Sequence, residues 1–521
     1  MKYLLVVALF LGAVALAQGP DANTLVIAQS RSTSTLDPAA ISDAATFNIT
    51  RGLVFASLVE IDADGKVTPS LAESYSVSET GTEVSFKLHE GLQCHDGEPL
   101  TAEDVVYSIK RAADPANAFT GNIVNFVFPN IGYVDARVDS ELELTVVMSR
   151  YNPAAVAFMA DILVHCKDAY EKMSLDQAAN NPIGSGPYRV VEYVRGDRVV
   201  LEKVADYPLE RGQGGWQRLV WRTIPEASTQ AAELIAGNVD IVAGVVSDHV
   251  AAINNSGTAT VKPVMGTRRI SIWFSFNEKM AQSSPGAAAI QSVEVRRAIQ
   301  YAIDVPSICA NLLGVECERM TTLVNPPNDN PNLKPYPYDP ELAEKMLDEA
   351  GYPRGADGVR FTLSLQSPNG LFANDVNLAL TVAQYLEDVG IPTAVEVMET
   401  ASVFTPLLQS HEAGPLFINS IGGGTWSPIR DMGLYASYKA NNNYNDWNNP
   451  EWFDLYEKML AERDPEARQA IVNDMLVIFY NDPPWILLYF LPSFYGVSDR
   501  IDWTPRRDDR IDPFTVHLVV N

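Results

Sequence analysis

The chain has 521 residues, 47% hydrophobic and 20% charged, the composition of a globular protein too long for a single hydrophobic core. Its 65 acidic residues against 38 basic ones give a formal charge of −27. So acidic a body repels phosphate backbones and anionic lipid heads, which disfavours nucleic-acid and membrane-surface roles; dispersed surface carboxylates explain it without a cationic ligand. The sequence opens with Lys2, an apolar run over residues 3–16 and the small-residue site Ala15-Leu16-Ala17. That pattern predicts a secretory signal peptide cleaved after Ala17. The run is shorter than the roughly 20 residues that span a bilayer, so a membrane anchor is the poorer reading. No cysteine follows it for lipid attachment, and the expectation is a soluble protein exported to a Gram-negative periplasm.

An apolar strand over residues 24–29 leads into a polar loop with Arg31 and Ser32, then Leu36-Asp37-Pro38. A helix-then-strand pattern covers residues 47–61. Val84, Phe86 and Leu88 alternate with Ser85 and Lys87, the period of a half-buried strand. His95-Asp96-Gly97-Glu98-Pro99 is dense in turn formers. Thr101 is placed to cap a helix, with Asp104 near its positive end and Ala102, Val105, Val106, Ile109 and Ala112 on one apolar face. A strand is expected over 141–148 and a helix over 153–159. Asn181-Pro182-Ile183-Gly184-Ser185-Gly186-Pro187 predicts a sharp reversal before a strand over 188–193. Its Gly-Ser-Gly has neither the lysine of a P-loop nor the Gly-x-Ser-x-Gly spacing of a serine nucleophile.

Residues 230–236 read as a helix stopped by Gly237, with a strand behind it. Residues 270–277, with Trp273, Phe274 and Phe276, read as a buried strand, with a hinge crossing close to Asn277. Ser292 is placed to cap a helix from Val293, and Asp339-Pro340 to start another that Gly351 ends. Strands over 361–366 and 393–398 flank a helix over 374–388, an alternation that predicts parallel sheet.

The motifs within these blocks are Gly91-Leu92-x-x-His95-Asp96-Gly97-x-Pro99-Leu100-Thr101-Ala102-Glu103-Asp104-Val105-Val106 with Ser108-Ile109-x-Arg111, the Leu36-Asp37-Pro38 loop, Gly237-x-Val239-Asp240, Val295-Arg296-x-Ala298 with Ala302-Ile303-Asp304, and Ala350-Gly351-Tyr352. In this order they resemble the extracellular solute-binding proteins of family 5, the dipeptide-, oligopeptide- and nickel-binding receptors that feed ATP-binding cassette importers. The resemblance spans nearly the whole mature chain. It implies an α/β fold of the type II periplasmic binding protein kind: two lobes of mixed sheet flanked by helices, the first split by a smaller domain. Expected boundaries are a signal peptide (1–17), the first lobe (18–54), the inserted domain (55–183), the first lobe again (184–276), the second lobe (277–488) and a return segment (489–521). The implied partners are a small solute and a membrane permease, with the receptor a monomer.

Residues 421–431 are the most suggestive ligand-facing stretch. Gly422, Gly423 and Gly424 let backbone approach a solute closely, beside Thr425 and the flat face of Trp426. The resemblance implies that this loop lines the cleft, and that peptide-binding relatives carry an Asp three residues after the Trp for an α-ammonium group. That offset here holds Ile429, and Ser367-Pro368-Asn369 stands where dipeptide receptors show Arg-Pro-Tyr. Asp431, reached by a shift of register, is the replacement counter-charge expected. The candidate contacts are Arg31, Ser32, Asn277, Asn369, Gly423, Gly424, Thr425, Trp426 and Asp431. A peptide-like solute ranks first, and an oligosaccharide or other polar organic solute follows, to which Asn441, Asn442, Asn443 and Tyr444 would also suit. An exported hydrolase is the competing class, but no nucleophile-and-base motif is recognisable. The reading is therefore of a binder, not an enzyme, without cofactor. The six histidines show no helical metal-ligand spacing, which argues against a protein-held metal. In an oxidising compartment Cys309 and Cys317, close in sequence, are the natural disulfide pair, leaving Cys94 with Cys166. Three connectivities, or four free thiols, remain open at this level.

Overall fold

The structure, a computed structural model, describes residues 20–325, 328–372, 374–422, 428–435 and 443–519. Its strands in chain order are β1 (Thr24–Gln29), β2 (Val59–Ile61), β3 (Val67–Pro69), β4 (Ala72–Val77), β5 (Glu83–Leu88), β6 (Tyr133–Val138), β7 (Glu143–Met148) and β8 (Tyr188–Val194). There follow β9 (Arg198–Lys203), β10 (Arg218–Thr223), β11 (Ile241–Ala243), β12 (Ala259–Phe274), β13 (Leu363–Asn369), β14 (Thr393–Glu399), β15 (Leu416–Ile421) and β16 (Trp485–Ser498). Ten of them form one mixed sheet in the order β14-β13-β15-β12-β16-β11-β1-β10-β9-β8. A separate four-stranded antiparallel sheet, β4-β5-β7-β6, lies in the early part of the chain.

The long pair β12–β16 holds the large sheet together. Its outer half, Ala259–Met265 against Pro492–Ser498, continues into β11 and β1. Its inner half, from Arg269 to Trp273 against Phe490 to Trp485, continues into β15, and β13–β14 and β13–β15 pair in parallel as the alternation predicted. Between the halves the register jumps: Met265 faces Pro492, yet Arg269 faces Phe490. Four residues advance against two, so Gly266, Thr267 and Arg268 bulge from the ladder. The sequence showed only the inner half of β12; Pro263 and Gly266 break the alternation over the outer half.

The capped helices fall where expected. Thr101 and Asp104 form a reciprocal capping box at Ala102–Ala113, Ser292 caps Val293–Tyr301, and Asp339 caps Pro340–Glu349. Disulfides join Cys94 to Cys166 and Cys309 to Cys317. Several of the motifs form clasps between distant segments. Arg111 forks onto Asp37 with both carboxylate oxygens engaged (2.9 and 2.6 Å), both side chains buried. Asp240 accepts from the Val26 amide at 2.8 Å and from two nitrogens of Arg500 at 2.8 and 2.9 Å. Arg500 also donates to the carbonyls of Pro20, Asp21 and Thr24, fastening the first strand to the return segment. Arg296 donates to the carbonyls of Pro483, Ile290 and Gln291 and pairs with Asp482.

His95 closes another clasp. Its Nδ1 accepts from the Gly184 amide (3.1 Å) and its Nε2–H donates to the Gly186 carbonyl (2.9 Å), which fixes the tautomer. A β-carbon at Gly184 would stand 1.9 Å from the Val54 carbonyl oxygen, and one at Gly186 would stand 2.1 Å from that of Leu53. Glycine is required there by close backbone approach. Ser185 between them is buried, donating to the Val164 carbonyl (2.7 Å) and accepting from the Ala56 amide (3.1 Å). It is a structural serine.

Candidate functional site

Where the sheet's two halves meet, a cavity of about 460 Å³ opens, lined from both sides and from the return segment. That volume lies within the roughly 300–1,000 Å³ typical of small-molecule sites. The helix Ala44–Thr50 and the turn after it contribute Phe47, Asn48 and Arg51, and β2 contributes Glu60. The β12 bulge contributes Thr267 and Arg268, the end of β15 contributes Gly422, and the following helix contributes Arg430. Asp508, Asp509 and Arg510 come from the return segment.

The cavity is densely charged, with four guanidiniums in its wall although the whole chain is acidic. Most of these charges are matched. Arg51 pairs with Asp161, although its Nε is buried with no hydrogen-bond partner. Arg510 reaches Glu60 at 3.4 Å, and Arg211 bridges Glu60 and Asp512 at 3.0 and 3.2 Å. Gly52, with φ of +66°, admits this cluster: a β-carbon there would sit 2.6 Å from Nη2 of Arg510. Burial disfavours charge on Asp512, but Arg211 and Arg510 outweigh it and hold the carboxyl below its usual range. Asp508 is held by Arg506 at 2.6 Å. Arg430 lies over the Phe126 ring, 4.6 Å from its centroid. Burial pulls its guanidinium down, while Asp431 and Asp161 support its charge.

Two lining charges differ from these. Arg268 donates from Nη1 to the Ser420 hydroxyl at 2.9 Å, and Asp509 accepts from the hydroxyls of Ser493 (2.6 Å) and Tyr495 (3.1 Å). Their partners are neutral and both side chains are exposed.

The sequence-derived candidates are scattered. Arg31 and Ser32 are exposed and do not line this cavity; the Arg31 carbonyl accepts from the Gln29 side chain at 2.9 Å. Asn277, expected as a ligand contact, caps the helix Glu278–Ala281 and donates to the His411 carbonyl. Asn369 is exposed at the end of β13, its backbone exchanging two hydrogen bonds with the Thr400 hydroxyl. Asp431, expected as a counter-charge, is 3% exposed and ion-paired at 2.8 Å with Arg269, itself 1% exposed. Gly423, Gly424, Thr425 and Trp426 lie outside the described residues, as do Asn441 and Asn442. Asn443 is described and buried, bonding to Trp447.

Sequence reasoning missed Arg51, Arg268, Asp509 and Arg510. The available signals were the charge-dense run Arg506-Arg507-Asp508-Asp509-Arg510-Ile511-Asp512 and the paired arginines at 268 and 269 inside an otherwise apolar strand pattern. Among the described residues no group of three or more His, Cys, Asp or Glu side chains is arranged to hold a metal ion.

Residues 66–445 match the family described as "Bacterial extracellular solute-binding proteins, family 5 Middle". Over 516 residues the chain is 25% identical to heme-binding protein A of Haemophilus influenzae, covering 93% of this chain and 90% of that one. It is 26% identical over 486 residues to the glutathione-binding protein GsiB of Escherichia coli O157:H7, covering 90% and 89%. The structure of HbpA2 from Haemophilus parasuis superposes with a TM-score of 0.84 at 21% identity, over 96% of this chain and 100% of that one.

Proposed function

The chain belongs to the bacterial extracellular solute-binding proteins of family 5, and on that premise we propose that it captures a peptide-like solute between two lobes and delivers it to the permease of an ATP-binding cassette importer. The observation that carries this reading is the cavity lined on one side by the helix Ala44–Thr50, β2 and the return segment and on the other by the β12 bulge, the end of β15 and the helix after it. A solute touching both walls favours the closed arrangement by its differential affinity for that form. The wall offers guanidinium and carboxylate groups beside the aromatic ring of Phe47, which suits a small polar solute with charged ends. Glutathione, for which one relative is named, is such a peptide. The reading includes export to the periplasm after cleavage at Ala17, and binding without turnover. The lobes of this proposal are the portions of sheet on either side of the bulge, with the four-stranded sheet as the inserted domain.

Mass spectrometry of the solute that co-purifies with the protein, followed by calorimetry with the identified compound, tests the reading. A peptide recovered unchanged supports it. An oligosaccharide, or a peptide hydrolysed on incubation, refutes it in favour of a sugar receptor or an exported hydrolase.

A further inference from the structure

Arg268 and Asp509 share the cavity wall, carry opposite charges, and have only hydroxyl groups as side-chain partners among the described residues. The cavity's other charged residues are ion-paired or, for Arg430, supported by nearby carboxylates. Each of the two is also set at a backbone irregularity. Arg268 projects from the bulge that interrupts β12, and bulges re-aim side chains next to sites. Asp509 has a φ of +59°, a left-handed conformation rare outside glycine and concentrated at ligand clamps. Both are held in place. A β-carbon at Gly422 would lie 3.1 Å from Cζ of Arg268, so the guanidinium rests on bare backbone while Ser420 tethers Nη1. Around Asp509, the Asn48 side chain donates to its carbonyl at 3.0 Å, beside the two hydroxyls on its carboxylate. Orienting an exposed charge with neutral donors or acceptors leaves its charge available to a third group.

We propose, building on the peptide-capture reading, that Arg268 and Asp509 are the two ends of a charge clamp for a zwitterionic solute, Arg268 receiving a carboxylate and Asp509 an ammonium group. Arg268 belongs to the strand pair that joins the halves, and Asp509 to the return segment packed on the first half. A solute spanning them neutralises both charges and links the crossing to the wall. The clamp takes the place of the counter-charge that Asp431 gives to Arg269.

The test uses pools of tripeptides with free termini, the same pools amidated at the C-terminus, and the same pools acetylated at the N-terminus. Affinity is measured by native mass spectrometry on the mature protein and on Arg268→Gln and Asp509→Asn; asparagine tolerates the left-handed conformation at 509. Unchanged solute-free melting temperatures establish that both variants fold. The clamp predicts that amidation weakens binding to the unmodified protein about tenfold or more, and adds nothing in Arg268→Gln. Acetylation does the same, and adds nothing in Asp509→Asn. Equal binding of all three pools overturns the clamp and leaves peptide capture standing. If no pool binds, peptide capture fails, and the co-purified solute decides the clamp: one bearing both charges and lost from both variants upholds it, and one lacking either charge overturns it. A protein that holds no solute and binds no pool overturns both.

Discussion

His95 sits with both ring nitrogens committed to one loop, accepting from Gly184 and donating to Gly186. Burial lowers its pKa from the ordinary 6.5 to about 4, against the opposing pull of the Gly186 carbonyl. The folded protein therefore keeps the ring neutral where the unfolded chain has already taken a proton. Stability from His95 is complete above pH 6.5 and is lost as the pH falls from 6.5 to about 4, up to roughly 3 kcal/mol. Buried His165, lowered to about 3, acts in the same direction. His95→Gln should flatten part of the fall in melting temperature between pH 6.5 and 4, at the cost of about 1–3 kcal/mol of stability at pH 7.5 from imperfectly replaced hydrogen bonds. Denaturant unfolding across that pH range checks both effects. The Arg111–Asp37 fork makes a second test at this scale. Removing one partner strands a buried charge, so Arg111→Met should cost about 3–5 kcal/mol, while Arg111→Met with Asp37→Leu should cost clearly less than the sum of the single changes.

At the scale of elements, the turn carrying Gly184, Ser185 and Gly186 lies flat against the backbone of Leu53 and Val54. Gly184→Ala drives a methyl group into the Val54 carbonyl, and a loss of about 3 kcal/mol or of soluble protein is expected. Ser185→Ala, which keeps the shape and removes buried hydrogen bonds, should cost about 1–3 kcal/mol; thermal melts of the two variants order them. Elements defined by local grammar were legible in the sequence. The capping box at Thr101, the caps at Ser292 and Asp339 and the alternation of Val84, Phe86 and Leu88 each express a rule that acts over a few residues. The outer half of β12 was not legible, because Lys262, Pro263 and Gly266 interrupt its alternation and its pairing with β16 spans more than two hundred residues of sequence. The site was the least legible part. Arg268 and Asp509 read locally as ordinary surface charges, and only the bulge and the return segment bring them to one cavity. The pairing of Asp431 was hidden for the converse reason, since its partner Arg269 is distant in sequence and adjacent in space.

For the whole molecule, loops next to the four-stranded sheet meet the helix pair Pro450–Ala461 and Pro465–Asn481. Arg463 lies over the Tyr151 ring and donates to the Glu79 carbonyl, and Arg468 reaches the Tyr151 hydroxyl at 3.1 Å. These polar contacts are exposed or part-buried and individually weak, so in the proposed closing motion they favour the closed form by small amounts that a bound solute supplements. Tyr151→Ala should enlarge the solute-free radius of gyration measured by X-ray scattering and weaken solute binding severalfold, while the solute-saturated radius returns to that of the unmodified protein. The Arg500 clasp carries a consequence for biogenesis. The carbonyls of Pro20, Asp21 and Thr24, with Asp240, are gathered by a side chain at least 476 residues further along than those carbonyls, and β11 leans on a strand made only shortly before that side chain. The N-terminal sheet thus lacks its edge partner and its bolt until more than two hundred residues beyond β11 have been made. The first sheet therefore consolidates only once that distant strand and side chain have been made.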